Sequence, residues 1–237
     1  MTISRNLSAL GQAVSASGNI PSANITGTFA STSITGLAAS ATTDTTNASN
    51  ITTGTLPAAV GSTGAHVLNA FTTPGTWTKP ATVKSIKVTV VAGGGNGGPG
   101  NSPAFQSGGG GGAGGTSIKI YPAASLPGPQ PYTVGAALAS SAFGTAPVGT
   151  ITATAGSSGA ITGNGGGGSA SGGNINISGG DGGIGLNGSY FGGIGGSSSM
   201  GGSSKSYGAG GQGASANPGS GTPISGVQGI VIVEEFY

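Results

Sequence analysis

Glycine is the residue that most constrains what this chain can fold into. Of the 237 residues 54 are glycine, and most of these fall in two blocks, thirteen at 93–115 and twenty-nine at 156–229. Glycine loses more backbone freedom on folding than any other residue and buries no side chain. A fold built from these blocks therefore has to gain its stability from backbone hydrogen bonds rather than from a conventional hydrophobic core.

Within the second block, larger or polar side chains recur at every third position. Three residues per turn is the period of the polyproline-II helix, which has no internal hydrogen bonds. Such helices can pack side by side only where glycine lies at the contact, because a Cβ atom would hold the backbones apart. The spacing predicts a bundle of glycine-rich segments joined by lateral backbone bonds, with flexible linkers as the alternative. The residues that carry this spacing are Phe191, Ile194, Ser197, Met200 and Ser203.

Segments between and beside the glycine blocks alternate in the manner of β-strands. In residues 66–92 the side chains of Ile86, Val88 and Val90 fall on one face, which predicts a strand with one apolar side. Trp77, in the phrase GTWTKP, is expected to pack beneath this β-rich part. Further strands are predicted at TSIKIY (116–121), PYTVG (131–135), GTITATA (149–155) and GIVIVEEF (229–236). The last of these is apolar on both faces, which is typical of a strand in the interior of a sheet.

Residues 1–64 differ in composition from the rest and contain three similar phrases, NITGTF, SITGLA and NITTGTL. Each phrase places an isoleucine beside threonine and shortly before a glycine, which favours short strands that end in turns. Short strands are unstable alone, so three identical chains wound together would bury what one chain cannot. Four apolar residues between Ile3 and Val14 fit two heptads of a coiled coil or, equally well, a short amphipathic helix. We therefore expect an attachment and fibre-shaft region at 1–64 and a glycine-rich β head at 65–237.

Ionisable residues are scarce, which narrows the chemistry that the chain can perform. Only ten residues are charged and the net charge is +2, so no basic patch for nucleic acid can be assembled. The absence of cysteine excludes a disulfide framework and a thiolate metal site. Glu234 and Glu235 are neighbours on a predicted strand and so point to opposite faces. The other acids, Asp44 and Asp181, stand alone, and His66 is the single histidine. We therefore predict no enzyme activity, no cofactor and no metal site.

The hydropathy of the chain also bears on where it resides. No apolar run reaches the length of a signal peptide or of a membrane span. Disordered chains usually carry a high net charge, whereas this one is nearly uncharged, which favours folded structure. We expect an unprocessed, soluble and folded chain without membrane insertion.

Residues 66–237 contain, in order, the phrases FTTPGTWTKPATVKSIKVTVVAGGGNGG, GGNINISGGDG, FGGIGGSSSMGG and GIVIVEEFY. Together these phrases resemble the glycine-rich domain of bacteriophage tail fibres and receptor-binding adhesins. The resemblance implies a virion protein that is made in the host cytoplasm and becomes part of the phage tail. It implies a glycine-rich head on a trimeric stalk, with the N-terminus attached to a tail or baseplate protein. The distal loops would contact a polysaccharide or an outer-membrane protein of the bacterial surface.

The whole chain is therefore expected to be all-β and homotrimeric. A fibrous N-terminal region is followed, in this expectation, by a β-sandwich-like head with glycine-rich polyproline-II-type segments. Exposed aromatic rings are the candidate receptor-binding groups, because ring faces bind sugars and receptor loops at a small entropic cost. The candidates are Tyr190, Phe191, Tyr207 and, in the segment NSPAFQS, Phe105. The alternative for these rings is that they pack against or cap the glycine segments.

Three functions are consistent with these sequence features. The first is attachment of a tail fibre to its bacterial host. The second is a purely structural fibre or baseplate component that anchors or spaces other tail proteins. The third is an ice-binding or cell-wall glycine-rich protein. Binding of the purified protein to bacterial cells separates the first from the second, and thermal hysteresis identifies the third.

Overall fold

The described part of the chain is built of β-strands and glycine-rich segments. The computed structural model describes residues 66–145, 148–188, 190–216 and 221–237, so the fibrous region predicted at 1–64 lies outside the described residues. Ten strands form two antiparallel sheets, and one turn of 3-10 helix at Ala123–Ser125 is the helical element of the described part. The prediction of an all-β fold is confirmed.

Each sheet has five strands. The first sheet consists of β1 (His66–Phe71), β3 (Ser85–Val91), β4 (Thr116–Pro122), β9 (Ile175–Ile177) and β10 (Ile230–Phe236), in the order β1-β10-β3-β4-β9. The second consists of β2 (Gly75–Trp77), β5 (Gln130–Thr133), β6 (Ser141–Phe143), β7 (Ile151–Ala153) and β8 (Ala170–Ser171), in the order β2-β5-β6-β7-β8. Every neighbouring pair is antiparallel.

The two sheets share one hydrophobic core. Ile86, Val88 and Val90 of β3 are fully buried, as their alternation predicts, and they pack in one cluster with Phe143 and Ile151 of the second sheet. The last strand, β10, pairs with β1 on one side and β3 on the other, which confirms its predicted interior position.

Trp77 is buried in this core, also as predicted. Its indole Nε1 donates a hydrogen bond of 2.7 Å to Oε1 of Glu235, and Nδ2 of Asn69 donates one of 2.9 Å to the same oxygen. The hydroxyl of Tyr237 donates to Oε2 at 2.7 Å. The buried carboxylate thereby ties the first and second sheets together through charge-assisted bonds.

Some strand boundaries differ from those expected. The strand predicted at 131–135 ends at Thr133, because the N–H of Gly135 donates instead to the Ser141 hydroxyl at 2.9 Å in a turn. Strands β6, β8 and β9 were not predicted. They contain two or three residues each, and β8 and β9 lie inside the second glycine block, where so short an alternation gives no signal.

The glycine blocks form extended segments that lie side by side, and residues 107–115 occupy the centre. The N–H groups of Gly108, Gly111 and Gly114 donate to carbonyls of residues 208–214. The rest of the segment follows the same period of three: Gly109, Gly112 and Gly115 donate to residues 154–160, and Gly110 and Ala113 donate to residues 178–186. The N···O distances of these bonds are 2.8–3.0 Å.

The carbonyl groups of the central segment bond to three other neighbours with the same period. They accept from residues 92–98, from residues 163–169 and from residues 191–197. The central segment therefore has six neighbours, to three of which it donates and from three of which it accepts. Successive N–H groups reach three different neighbours because the chain turns by one third of a revolution per residue, as a threefold extended helix does.

Glycine is required at these contacts because the backbones touch. A Cβ atom added to Gly110 would lie 1.9 Å from the carbonyl oxygen of Ile194, and one added to Gly112 would lie 2.0 Å from that of Gly166. Such distances are far below van der Waals contact. By contrast, a Cβ atom added to Gly166 would have its nearest neighbour at 3.7 Å. Gly110 and Gly112 therefore face a neighbouring backbone, whereas Gly166 faces open space.

The connections of these segments define two ends. At one end, here called the sheet end, residues 92–98 follow β3, residues 107–115 lead into β4 and residues 154–160 follow β7. At the opposite end, here called the loop end, the chain reverses through the turns at 101–106, 161–163 and 187–188.

Candidate functional site

The loop end gathers aromatic side chains from two separate turns. Phe105 lies in the turn 101–106, and Tyr190 and Phe191 follow the turn at Asn187–Gly188. Their exposed fractions are 49% for Phe105, 56% for Tyr190 and 83% for Phe191. The rings of Phe105 and Tyr190 meet edge to face with their centroids 6.4 Å apart, a geometry that aromatic pairs prefer. Three of the four rings predicted from the sequence are thus brought together.

Hydrogen bonds fix the two turns to each other. The N–H of Gly188 donates to the Phe105 carbonyl at 2.6 Å, and Nε2 of Gln106 donates to Oδ1 of Asn187 at 2.8 Å. Asn101 and Gln106 pair across the first turn through both backbone N–H groups. Phe105 itself has a φ of 49°, in a region that costs energy for a residue with a side chain. The turn therefore holds the Phe105 ring outward at the expense of backbone strain.

A concave space of about 200 Å³ lies beside these rings. Tyr190 and Phe191 line this space, and so do Gln212 and Thr222, whose side chains carry an amide and a hydroxyl group. Ile224 supplies a further apolar surface. The arrangement combines aromatic faces with neutral hydrogen-bonding groups, which is the usual composition of a small binding site.

Tyr207 does not belong to this group. It precedes Gly208 at the sheet end, where the N–H of Gly208 donates to Gln228 and the Ser198 hydroxyl donates to the Tyr207 carbonyl at 2.6 Å. Tyr207 lines a different recess, together with Met200 and Lys205. Tyr207 was predicted to face outward because it interrupts a glycine run, and it is 37% exposed, but its place in the sequence carries no information about which end it occupies.

The spacing of three residues holds only as far as the segment 191–197. Ile194 and Ser197 are exposed, but the chain then turns, with Ser198 and Gly201 paired across a short bridge. Met200 and Ser203 therefore lie in a turn rather than on a glycine segment. The predicted threefold spacing of outward side chains therefore ends where this turn begins.

Exposed apolar side chains also lie on the segments on either side of the turn at Asn187–Gly188, and the sequence did not mark them as receptor-binding groups. Ile184, Leu186 and Ile194 are exposed on the two neighbouring segments 178–186 and 191–197. These segments bond to each other through the N–H of Gly183 and the carbonyl of Ile194. The threefold spacing that includes Ile194 predicted an outward side chain, but only the pairing of the two segments shows which exposed side chains are neighbours.

The charged side chains of the described residues lie away from the loop end. Glu234 of β10 bonds to Nζ of Lys87 at 2.7 Å and lies 3.4 Å from Nε2 of His66, all within the first sheet. Glu235 is buried beneath Trp77. Within the described ranges no group of three or more metal-ligating side chains is found, and no helix has the length and apolar character needed to cross a membrane.

Neither a family model nor a curated protein matches this chain in sequence.

Proposed function

We propose that this protein is a bacteriophage tail-fibre protein that attaches without enzymatic activity to the bacterial surface through its glycine-rich head. The observation that carries the proposal is the grouping of Phe105, Tyr190 and Phe191 at the loop end. Exposed rings at one end of a scaffold held by lateral backbone bonds form a preorganised binding surface, which reduces the entropy lost on binding. The sequence phrases that resemble phage adhesins support the same assignment.

In this proposal the head is β-sandwich-like and the glycine segments are polyproline-II-type helices. Their threefold hydrogen-bonding period and close backbone contacts support this description. Residues 1–64 form the fibrous shaft and the attachment to a tail or baseplate protein, and the chain is a homotrimer in the virion tail. Three copies would present three loop ends, so that weak individual sites combine into strong attachment.

Binding to cells tests this proposal. Fluorescently labelled full-length protein is applied to bacteria that the phage infects and to resistant mutants selected from them. We expect the protein to decorate susceptible cells, to spare the resistant mutants and to compete with phage adsorption. A protein that copurifies with tails but binds no cells would instead be a structural spacer.

Matched variants locate the binding surface. We expect Phe191→Ala and Tyr190→Ala to weaken cell binding about tenfold or more, as for residues at the centre of an interface. Tyr207→Ala, at the sheet end, is the control and is expected to bind like the unmodified protein. Thermal unfolding of each variant verifies that the fold is retained. Loss of binding in Tyr207→Ala with retention in the other two would reject the loop end as the site.

A further inference from the structure

The distribution of charge distinguishes the loop end from the rest of the described chain. Its turns, 101–106, 161–163 and 187–188, contain no charged residue. The charged side chains of the described ranges are placed on the sheets, in the turns beside them, or on the sheet-end half of a glycine segment: Lys79, Lys84, Lys87, Lys119, Asp181, Lys205, Glu234 and Glu235. The described residues of the loop end therefore offer a ligand no ion pair.

The groups that are present favour a ligand with both apolar and hydroxyl surfaces. Tyr190 and Phe191 offer ring faces, while the Gln212 amide can donate and accept hydrogen bonds and the Thr222 hydroxyl can do the same. A pyranose ring has one face of C–H groups and an edge of hydroxyl groups. The C–H face suits an aromatic ring, and the hydroxyl edge suits amides and hydroxyls.

The size of the cavity limits how much ligand it can accept. Its volume of about 200 Å³ is below the roughly 300–1,000 Å³ of sites for drug-sized molecules. The space fits a single ring, whereas a protein loop or a helix would require a larger groove. Phe191 of the lining and Phe105, whose ring meets that of Tyr190, are both exposed, and adjoining units of a longer ligand would contact them.

We infer that the cavity between Tyr190 and Thr222 binds one residue of a neutral polysaccharide of the bacterial surface. This inference rests on the proposed function and names the class of receptor. Binding depends on ring stacking and neutral hydrogen bonds and is therefore nearly independent of salt, since there are no charge pairs for the salt to screen. Repetition of the sugar along the polysaccharide lets several heads bind one molecule at once.

Selective treatment of the cells tests the receptor class. Susceptible bacteria are treated with periodate, which cleaves vicinal diols of sugars, or with protease, which removes surface protein. We expect labelled protein to lose binding to periodate-treated cells and to keep it on protease-treated cells. The reverse pattern would overturn the saccharide inference and leave the proposed function intact, since it would identify a protein receptor. Failure to bind untreated susceptible cells would instead reject the proposed function.

Direct measurement of polysaccharide binding shows whether the ligand is neutral or anionic. Polysaccharide released from the same cells is separated by anion exchange into neutral and anionic fractions, and each is titrated with the full-length protein by calorimetry. We expect binding to the neutral fraction that changes less than about twofold between about 0.05 M and about 0.5 M NaCl. Gln212→Ala and Tyr190→Ala should weaken it about tenfold, and Tyr207→Ala should not. Binding confined to the anionic fraction, or a strong dependence on salt, would overturn the inference.

Discussion

At the scale of single residues, the fold depends on what each position faces. Gly110 and Gly166 are both glycine and lie in neighbouring segments. A Cβ atom added to Gly110 would collide with a neighbouring carbonyl group, whereas one added to Gly166 would have ordinary space. Phe105 and Tyr207 are both exposed aromatic residues, yet one lies at the loop end and the other at the sheet end. The role of a residue in this fold therefore depends more on which neighbours it faces than on its residue type.

Substitution of these two glycines gives the first prediction. Gly110→Ala places a methyl group against the Ile194 carbonyl and separates two backbones, so we expect a loss of about 3 kcal/mol or more in the free energy of unfolding. The control Gly166→Ala is expected to stay within about 1 kcal/mol, because alanine at an open position restricts only the unfolded chain. Chemical denaturation measures both. Equal effects of the two substitutions would show that the central segment is not closely packed.

Tyr121 gives a second prediction, which concerns pH. Burial raises the pKa of its hydroxyl from 10.0 to about 12, and that hydroxyl donates to the Gly149 carbonyl at 3.1 Å. The folded state therefore holds this proton more tightly than the unfolded state does. The resulting stability is fully present below pH 10 and is lost as the pH rises from 10 towards 12.

Replacement of the tyrosine isolates this effect. We expect the melting temperature of the unmodified protein to fall more steeply between pH 9.5 and 11.5 (roughly the span of the two pKa values) than that of Tyr121→Phe. Melting curves at a series of pH values measure the difference. Parallel declines in the two proteins would mean that Tyr121 does not titrate differently in the folded state.

At the scale of elements, strands and glycine segments depend on each other. Each glycine segment near the centre gains backbone bonds only because its neighbours are in place, and the strands at the sheet end hold the segments in register. Strand β10 is central to this arrangement, because it pairs with both β1 and β3 and directly follows the last glycine-rich segment. A destabilising substitution in this strand should therefore lower the stability of the entire described fold.

Two adjacent residues of β10 provide a matched test. Val233 is fully buried in the core, whereas Ile232 is on the other face and is partly exposed. Val233→Thr keeps the shape but buries a hydroxyl group, so we expect a cost of about 1–3 kcal/mol. Ile232→Thr should cost less, although it removes a larger side chain. Urea denaturation of both variants checks the order, and a larger cost at Ile232 would mean that the outer face of the first sheet is covered.

At the scale of the whole molecule, the two ends differ in chemistry. The sheet end carries the core, the buried Glu235 and the charged side chains, while the loop end carries exposed rings, amides and hydroxyl groups. This separation allows the turns of the loop end to vary in sequence without loss of the core, because the lateral bonds of the glycine segments lie between the two.

The proposed assembly yields a prediction at this scale. We expect the full-length chain to form a trimer, with a mass three times the 21.8 kDa of one chain, because the short isoleucine-bearing phrases of the N-terminal region cannot form a core alone. Light scattering coupled to size-exclusion chromatography measures the mass directly. A monomer at micromolar concentration would contradict the trimer and would remove the contribution of multiple loop ends to attachment.

The strands with clear alternation were predictable from the sequence. Residues of β3, β4 and β10, and residues 149–155 around β7, alternate or are continuously apolar over enough positions to indicate strands, and Trp77 was correctly expected to be buried. Strands β6, β8 and β9 were missed because two or three residues carry no period. Phe105, Tyr190 and Phe191 were named as candidates one at a time, but nothing in the chain order indicated that Phe105 would meet Tyr190.

The sequence by itself determined that this chain is a β-protein in which glycine must lie against backbone, because periodicity and the missing Cβ are properties of the local chain. Only the tertiary structure decided which segment is central, which glycines cannot be replaced, and which aromatic rings share an end. These depend on lateral hydrogen bonds between residues far apart in sequence, and such bonds follow no pattern that a single segment contains.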